Sequence, residues 1–149
     1  MRPSALLAAA FAAAVAFPAA AQAPRETVLA ELDSAAGAMA SGGYVPDARP
    51  AGRTSLLGAL PRDGAVRLEV SLRAGRRYRI FAVCDAGCED LDLRAYGSDG
   101  TGILAEDKEA DARPVVSFVA QSTGPHMISV EMAGCRTEFC SFGVRILSR

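Results

Sequence analysis

From residue 64 to the end of the chain, apolar and polar residues alternate in short runs. The clearest run places Val66, Leu68, Val70 and Leu72 at alternate positions between Arg67, Glu69, Ser71 and Arg73. Successive side chains of a β-strand point to opposite faces, so this pattern predicts strands that bury one face. About seven such runs, separated by turn residues, predict an all-β fold, an antiparallel β-sandwich. A parallel α/β sheet is not predicted, because the strands do not alternate with helices.

The stretch 74–100 holds two of these runs, joined by the loop 84–88. In the first run, apolar residues occupy both alternating sets in the second half, which is therefore predicted to be buried on both faces. In the second run, one face is apolar and the other faces water. The predicted water-facing set is Asp90, Asp92, Arg94 and Tyr96. Asp99-Gly100 then supplies residues suited to a tight turn.

The first residues have the pattern of a secretory signal peptide. Arg2 supplies a positive charge, an apolar run of 13 residues covers positions 5–17, and small residues follow it. A membrane-spanning helix needs about 20 apolar residues, so this run is too short to span a bilayer. We predict a signal peptide over residues 1–21 with cleavage after Ala21. The alternatives are cleavage after Ala23 and a buried core helix.

Residues 22–43 contain the one predicted helix. Its apolar positions at helical spacing are 28, 32, 35, 36 and 39, and Gly42-Gly43 ends the pattern. The helix either packs on the sandwich or is a loosely held arm. Residues 44–60, rich in Pro and Gly, are predicted to be an extended connector. Its leucines form an edge strand or lie over the core; they are Leu56, Leu57 and Leu60. The sandwich domain is assigned to residues 61–149.

The charges exclude one class of partner. Arg2 is the single basic residue of the predicted signal peptide, so the mature chain keeps 15 of the 16 basic residues against 17 acidic ones. A nucleic-acid backbone is bound by an excess of Lys and Arg gathered on one surface, and this chain has no such excess. We therefore predict no nucleic-acid partner. No later apolar run is long enough to predict a membrane span.

The four cysteines form two closely spaced pairs. An even number of cysteines behind an export signal is typical of disulfides. Both short loops can bring their ends close enough for a bridge, so we predict Cys84–Cys88 and Cys135–Cys140. Two alternatives stay open. A long bridge such as Cys84–Cys140 is worth about 4 kcal/mol in chain entropy against about 2 kcal/mol for each short loop. Four thiolates at these spacings are also within the loose range for a zinc site.

Residues spread over the sandwich region together resemble a known family. They are Gly75, Tyr78 and Ile80; Cys84, Asp85 and Cys88; the run Asp90-Leu91-Asp92-Leu93; Asp99-Gly100; Asp107; Pro114 and Phe118; Thr123-Gly124; and Ile128 with Val130. In this pattern the chain resembles the bacterial pre-peptidase C-terminal (PPC) domains, β-sandwiches appended to secreted proteases and collagenases. The resemblance runs from about Gly58 to Leu147. The cysteine pairs resemble a stand-alone exported version, with no protease domain before it and His126 where the family often has tyrosine.

The resemblance implies a jelly-roll-like sandwich of about seven to eight strands with a binding or accessory role. Relatives in collagenases bind calcium and matrix polymer. Calcium needs about six to eight oxygen ligands, so carrying it over requires several carboxylates to converge. The candidates are Asp90, Asp92, Asp99 and Asp107. A solvated strand face with acidic turns is the simpler interpretation, so we predict no cofactor and keep calcium as the alternative.

No catalytic residue is predicted. His126 is the only histidine, no Gly-x-Ser-x-Gly turn is present, and Ser117 and Ser129 fall within strands. The HExxH and Gly-rich phosphate-loop patterns are also missing from the sequence. His126 is therefore expected to have a structural role at one end of the sandwich. A glycosidase pair drawn from the carboxylates near the first cysteine loop would need a cleft; these are Asp85, Glu89, Asp90 and Asp92.

These patterns together predict a non-enzymatic exported module, periplasmic or secreted. Its expected partner is a protein or polysaccharide of the cell envelope or the extracellular matrix. One alternative is a small secreted hydrolase that uses His126. The other is a subunit of a larger envelope assembly, docked through the N-terminal helix.

Overall fold

The computed structural model describes residues 23–47 and 55–149, which form one helix and nine strands. The predicted signal peptide, residues 1–21, lies outside the described residues. The elements are α1 (Ala23–Ala40), β1 (Val45–Pro46), β2 (Ser55–Leu60), β3 (Gly64–Leu72), β4 (Arg77–Cys84), β5 (Cys88–Tyr96), β6 (Ile103–Asp107), β7 (Val115–Val119), β8 (Gly124–Cys135) and β9 (Cys140–Ser148).

The strands form two antiparallel sheets that face each other. Sheet A has the order β2-β9-β4-β7, with the short β1 pairing the end of β9 on the same side as β2. Sheet B has the order β3-β8-β5-β6. Except for β5 and β6, neighbouring strands in each sheet come from distant parts of the chain, which is the connectivity of a jelly roll. The predicted antiparallel β-sandwich is confirmed.

The main core lies between the two sheets and uses the alternating residues of the strands. The inward side chains of the central strands include Ile80, Leu91, Leu93, Ile128, Val130, Val144 and Ile146. The second half of β4 is buried on both faces, as the sequence predicts. The reason is a second layer: Ile80 faces sheet B, whereas Phe81 and Val83 face the helix on the other side of sheet A.

Helix α1 packs on the outer face of sheet A. The five apolar positions predicted at helical spacing all belong to a second core, in which Val28 and Leu32 are 1% and 0% exposed. Gly143 of β9 permits this approach, since a Cβ atom there would lie 2.6 Å from Cδ1 of Leu32. Of the two arrangements considered for the helix, packing on the sandwich is the one observed. The apolar face of the helix is therefore buried against its own sheet.

Polar contacts fasten the same helix at its middle and at its end. Arg145 of β9 is buried, and its guanidinium donates to Asp33 of α1 at 2.6 Å and to the hydroxyl of Ser55 at 2.8 Å. After the helix, two guanidinium groups pack on the ring of Tyr44, that of Arg79 at 4.4 Å and that of Arg149 at 4.9 Å from its centre. The buried Arg145 needs its partners Asp33 and Ser55, because a buried charge without partners is costly.

Residues 55–60 belong to sheet A. Strand β2 pairs with β9 along its whole length, from Ser55 opposite Arg145 to Leu60 opposite Cys140. The leucines of the predicted connector thus form an edge strand, one of the two placements considered. Leu56 and Leu60 pack against the main core, and Leu57 packs against the helix layer.

A side-chain turn sets where strand β6 begins. The carboxylate of Asp99 accepts hydrogen bonds from the backbone N–H of Thr101 and of Gly102, at 3.1 and 3.0 Å. This side-chain turn extends the bend after β5 to Gly102, so the strand can begin only at Ile103.

The outer face of β5 is less exposed than the sequence predicts. Asp92 and Tyr96 are buried rather than water-facing. The guanidinium of Arg67 in β3 lies 5.0 Å from the centre of the Tyr96 ring. Arg94 forms ion pairs with glutamates of β6 and β8, at 3.1 and 3.3 Å. Long side chains from neighbouring strands therefore cover the middle of this sheet face.

Candidate functional site

Both disulfide bonds close corners at which the chain crosses between the sheets. Cys84 ends β4 and Cys88 begins β5, whereas Cys135 ends β8 and Cys140 begins β9. The bonds join Cys84 to Cys88 and Cys135 to Cys140, with Cα atoms 5.9 Å apart in each pair. The predicted local pairing is present, and all four sulfurs are used. The long bridge and the four-thiolate zinc site are therefore wrong.

The two disulfide-closed loops, residues 84–88 and 135–140, are hydrogen-bonded to each other. The backbone N–H of Arg136 donates to the carbonyl oxygen of Gly87 at 2.9 Å, and its guanidinium donates to that of Ala86 at 2.5 Å. Asp85 adds a third link, because its carboxylate accepts from the N–H of Gly87 at 3.0 Å and from the N–H of Ser141 at 2.6 Å. The sequence made Asp85 a candidate for a glycosidase carboxylate pair, but in the structure its carboxylate is hydrogen-bonded to backbone N–H groups.

We call the surface formed by residues 84–88, residues 135–140 and the first turn of α1 the disulfide end. A third corner, the turn between β2 and β3, is held to it by charge. Glu89 lies between Arg62 and Arg136, with N–O distances of 3.7 and 3.6 Å. All three side chains are about half exposed, so these pairs contribute little stability but surround the loops with charge of both signs.

Phe139 lies at the disulfide end with 55% of its surface exposed. It borders an open groove of about 520 Å³ between the disulfide-closed loops and the start of α1, where Pro24 and Gly87 form other walls. The hydroxyl of Thr137 donates to the carbonyl oxygen of Phe139 at 2.8 Å. An aromatic side chain is therefore presented to water on a backbone fixed by a disulfide, a hydrogen bond and a neighbouring loop.

The sequence patterns did not single out Phe139. It lies outside every alternating run, between Glu138 and Cys140, so no face of a strand or helix claimed it. One signal was available: a large aromatic residue that follows two polar residues inside a short cysteine loop has no strand neighbour to bury it.

His126 lies at the opposite end of the sandwich, where a cavity of about 310 Å³ is lined by this histidine, Asp99, Ser98 and Ser122. His126 is 3% exposed, and its Nδ1 lies 3.1 Å from the carbonyl oxygen of Gly124. An acid, a histidine and two hydroxyls thus share one cavity. No hydrogen bond links them within the described residues.

Asp99 is engaged by its own turn. Besides two backbone N–H groups, the hydroxyl of Thr101 donates to its carboxylate at 3.1 Å. These donors favour the charged form, and the backbone N–H of Thr101, followed by that of Gly102, lowers the pKa of Asp99 below its ordinary value. A carboxylate held in this way is poorly suited to orient a catalytic histidine.

The four carboxylates considered for calcium lie in three places. Asp90 and Asp92 share the outer face of β5, whereas Asp107 accepts from the backbone N–H of Val115 at 2.8 Å. Asp99 accepts hydrogen bonds within the turn that follows β5, at the other end of that strand from Asp90. Burial raises the pKa of Asp92, and the charge of Asp90 raises it further. In residues 23–47 and 55–149, no three His, Cys, Asp or Glu side chains are grouped closely enough to hold a metal ion.

Helix α1, the helix of the described part of the chain, is not long and apolar enough to cross a membrane. The two disulfides are typical of proteins that fold outside the reducing cytoplasm.

Comparison with known proteins gives a likeness of fold. No protein-family model matches the sequence, and no curated protein matches it. Among solved structures, the pre-peptidase C-terminal domain of collagenase from Bacillus anthracis is similar with a TM-score of 0.50 and 12% identity, over 62% of this chain and 87% of that chain. PliG from Aeromonas hydrophila, a periplasmic inhibitor of g-type lysozyme, gives a TM-score of 0.48 and 9% identity, over 64% of this chain and 84% of that one. The described chain thus has a PPC-like fold.

Proposed function

We propose that this chain is an exported, non-catalytic binding module, periplasmic or secreted, that holds a protein of the cell envelope or extracellular matrix through its disulfide end. In this proposal it is a stand-alone relative of the PPC domains. The observation that carries the proposal is the exposed Phe139 on a loop that is fixed at both ends.

A fixed aromatic side chain is suited to anchor a protein interface. Aromatic residues that fill a partner's pocket contribute much of the binding energy, while charged residues surround them. Ordering a mobile side chain on binding costs about 0.5–1.5 kcal/mol, and a loop that is already fixed avoids part of this cost. Phe139 has such a loop, with the exposed charges of Arg136 and Glu89 nearby.

The polar groups of the disulfide end favour a protein over a polysaccharide. Sugar hydroxyls are bound by side chains with free donors and acceptors. Here Asp85 already accepts two backbone hydrogen bonds, and the hydroxyl of Thr137 donates to the carbonyl oxygen of Phe139. The groove therefore offers an apolar contact and few uncommitted polar side chains.

The hydrolase alternative has one observation in its favour, the cavity that His126 shares with Asp99 and two serines. The hydrogen bonds speak against it. Nucleophilic catalysis needs a histidine bonded to both its nucleophile and its acid. The histidine Nδ1 is instead next to the carbonyl oxygen of Gly124, and Asp99 is occupied by its turn.

The test starts from protein recovered, with its disulfides formed, from the periplasm of a bacterial expression host. It is immobilised and exposed to solubilised envelope from the source organism, and captured partners are identified and purified. Binding to each is then measured for the unaltered protein, for Phe139→Ala, and for Ile103→Ala. The second variant is a matched control, since Ile103 is 54% exposed and lies at the other end of the sandwich.

We expect Phe139→Ala to weaken binding by roughly 10- to 100-fold, the range of a central interface anchor, and Ile103→Ala to leave it unchanged. Reduction of the disulfides should weaken it too, because the loop loses its fixed shape. Equal binding by Phe139→Ala would refute the proposal. So would captured material that resists protease and is destroyed by glycosidases, since that partner is a polysaccharide.

A further inference from the structure

The outer edge of β3 is the longest open strand edge of the described residues. One edge of this nine-residue strand pairs with β8 without interruption, from Gly64 opposite Met132 to Leu72 opposite Gly124. The other edge ends sheet B. A row of backbone donors and acceptors on such an edge is a template for a further strand.

The other edge strands of the described residues, β1, β2, β6 and β7, are all shorter than β3. Strands β6 and β7 have five residues each, and the pairing of β6 with β5 is broken by a register shift. Short length and bulges are devices that keep strand edges apart. Strand β3 has no proline, no bulge and no inward charge over Gly64–Leu72. Its two charges, Arg67 and Glu69, both lie on the outer face.

Core side chains are left partly open beside this edge. Val66 and Leu68 of β3 pack against the main core but are only partly buried, unlike the fully buried Val70. Strand β2, joined to β3 by the turn 61–63, leaves Leu56 partly open in the same way. An added strand would cover apolar surface on this side of the sandwich.

From this edge we propose that two copies of the chain associate through β3, antiparallel and centred on Leu68, so that sheet B continues into its copy. In that register Arg67 of each copy lies opposite Glu69 of the other, forming two cross-strand ion pairs about a two-fold axis. On the inner face, Leu68 meets Leu68 and Val66 meets Val70. Directly opposed residues have Cβ atoms about 4.5–5.5 Å apart, within reach of an Arg–Glu pair.

The charges also reject the neighbouring registers. A slip by one residue turns the apolar face outward. A slip by two residues in one direction puts Arg67 opposite Arg67, and the same slip in the other direction puts Glu69 opposite Glu69. Like charges directly opposed are destabilising. Of these three registers, which all keep the apolar residues on the inner face, the one centred on Leu68 pairs both charges.

Both side chains of the proposed pair lie on the exposed outer face of β3. The guanidinium of Arg67 lies over the ring of Tyr96, two strands away across β8, so it turns from that ring toward the open edge to reach Glu69 of the copy. Glu69 is exposed and forms no ion pair with another described residue. The pairing would also extend an existing row, since Arg67 is opposite Ser129, and Ser129 is opposite Arg94 with its ion pair to Glu106.

The test is a charge-swap series measured by sedimentation equilibrium on protein recovered from the periplasm. The unaltered protein should form a dimer. Arg67→Glu and Glu69→Arg should each lower the association constant by about 10- to 100-fold, because each puts like charges opposite one another twice. An equimolar mixture of the two variants should re-form a dimer, and the double variant should dimerise again. Glu138→Arg, a change of equal charge at the disulfide end, should have no effect.

Far-UV circular dichroism and thermal unfolding establish that each variant is folded. If Arg67→Glu fails to fold because it loses Tyr96, then Glu69→Arg decides against the Glu138→Arg control: Glu69→Arg should lose about 10- to 100-fold in the association constant, and Glu138→Arg should dimerise like the unaltered protein. A protein that stays monomeric up to roughly 0.5 mM overturns the proposal. So does a dimer that single charge reversals leave intact. The outcome is independent of Phe139.

Discussion

Replacing Gly143 with alanine should force helix α1 away from sheet A. A Cβ atom at this position would lie 2.6 Å from Cδ1 of Leu32, 2.7 Å from Cγ1 of Val28 and 3.0 Å from Cδ2 of Leu57. Non-bonded carbon atoms prefer about 3.5–4.0 Å, so the neighbours must move by close to 1 Å. Leu32 and Val28 are fully buried and cannot simply rotate into solvent.

The cost follows from overpacking. One extra methyl group in a packed core typically destabilises a protein by about 1–3 kcal/mol. For a domain of this size, 1 kcal/mol corresponds to a shift in the melting temperature of roughly 3–5 °C. We therefore expect Gly143→Ala to melt about 3–15 °C below the unaltered protein. Because total stabilities are about 5–15 kcal/mol, the variant should still fold.

The assay is differential scanning calorimetry with Gly37→Ala as the matched control. Gly37 lies within α1, and nothing lies within 4 Å of a Cβ atom added there. The control should gain about 0.5–1 kcal/mol, because glycine weakens a helix interior. A second control is Leu32→Ala, which vacates part of the space, so the double variant Gly143→Ala/Leu32→Ala should lose less than the sum of the single losses. A Gly143→Ala protein as stable as the unaltered one, or strict additivity, would refute the reasoning.

Four further results are expected. Replacing both cysteines of either disulfide with alanine should cost about 2 kcal/mol, read as a lower midpoint in urea, and an unchanged midpoint would contradict the entropic argument. Burial, with the charges of Asp90 and Glu131, raises the pKa of Asp92 above its ordinary value of 3.8. The folding stability that protonated Asp92 contributes is therefore fully present below pH 3.8 and is lost as pH rises through the folded-state pKa. Asp92→Asn should accordingly be more stable than the unaltered protein at pH 7 and equal to it at low pH; equal stability at both would disprove this. His126→Gln should leave partner binding unchanged, and the unaltered protein should hydrolyse none of a panel of ester, peptide and glycoside substrates; hydrolysis that the variant abolishes would establish the enzyme alternative. Millimolar calcium should not raise the melting temperature, and a rise removed by Asp90→Asn would show that calcium binds.

The local periodicity of apolar residues along the sequence predicted most of the fold. In β3 and β5 the period of two identified the inward residues, because each strand needs only its own alternation to define a buried face. The helical spacing of Val28 and Leu32 likewise identified the face that packs on sheet A. The short loops also identified the disulfide pairing, since residues four and five apart need no distant partner.

Features that depend on strand order could not be predicted in the same way. Tyr96 is buried because Arg67, 29 positions earlier, lies two strands away across β8 in sheet B. The exposure of Phe139 depends on how two distant loops pack, and the role of Gly143 depends on where the helix crosses β9. Each needs the jelly-roll connectivity, which alternation along one strand does not encode.

The placement of the cysteines bears on how the chain can oxidise. Each bond joins residues only four or five positions apart, and the second pair begins 47 positions after the first ends. A chain that enters an oxidising compartment N-terminus first can therefore close the first ring while the other two thiols have yet to arrive. At that moment the correct partner is the only partner, so no scrambled isomer has to be repaired later.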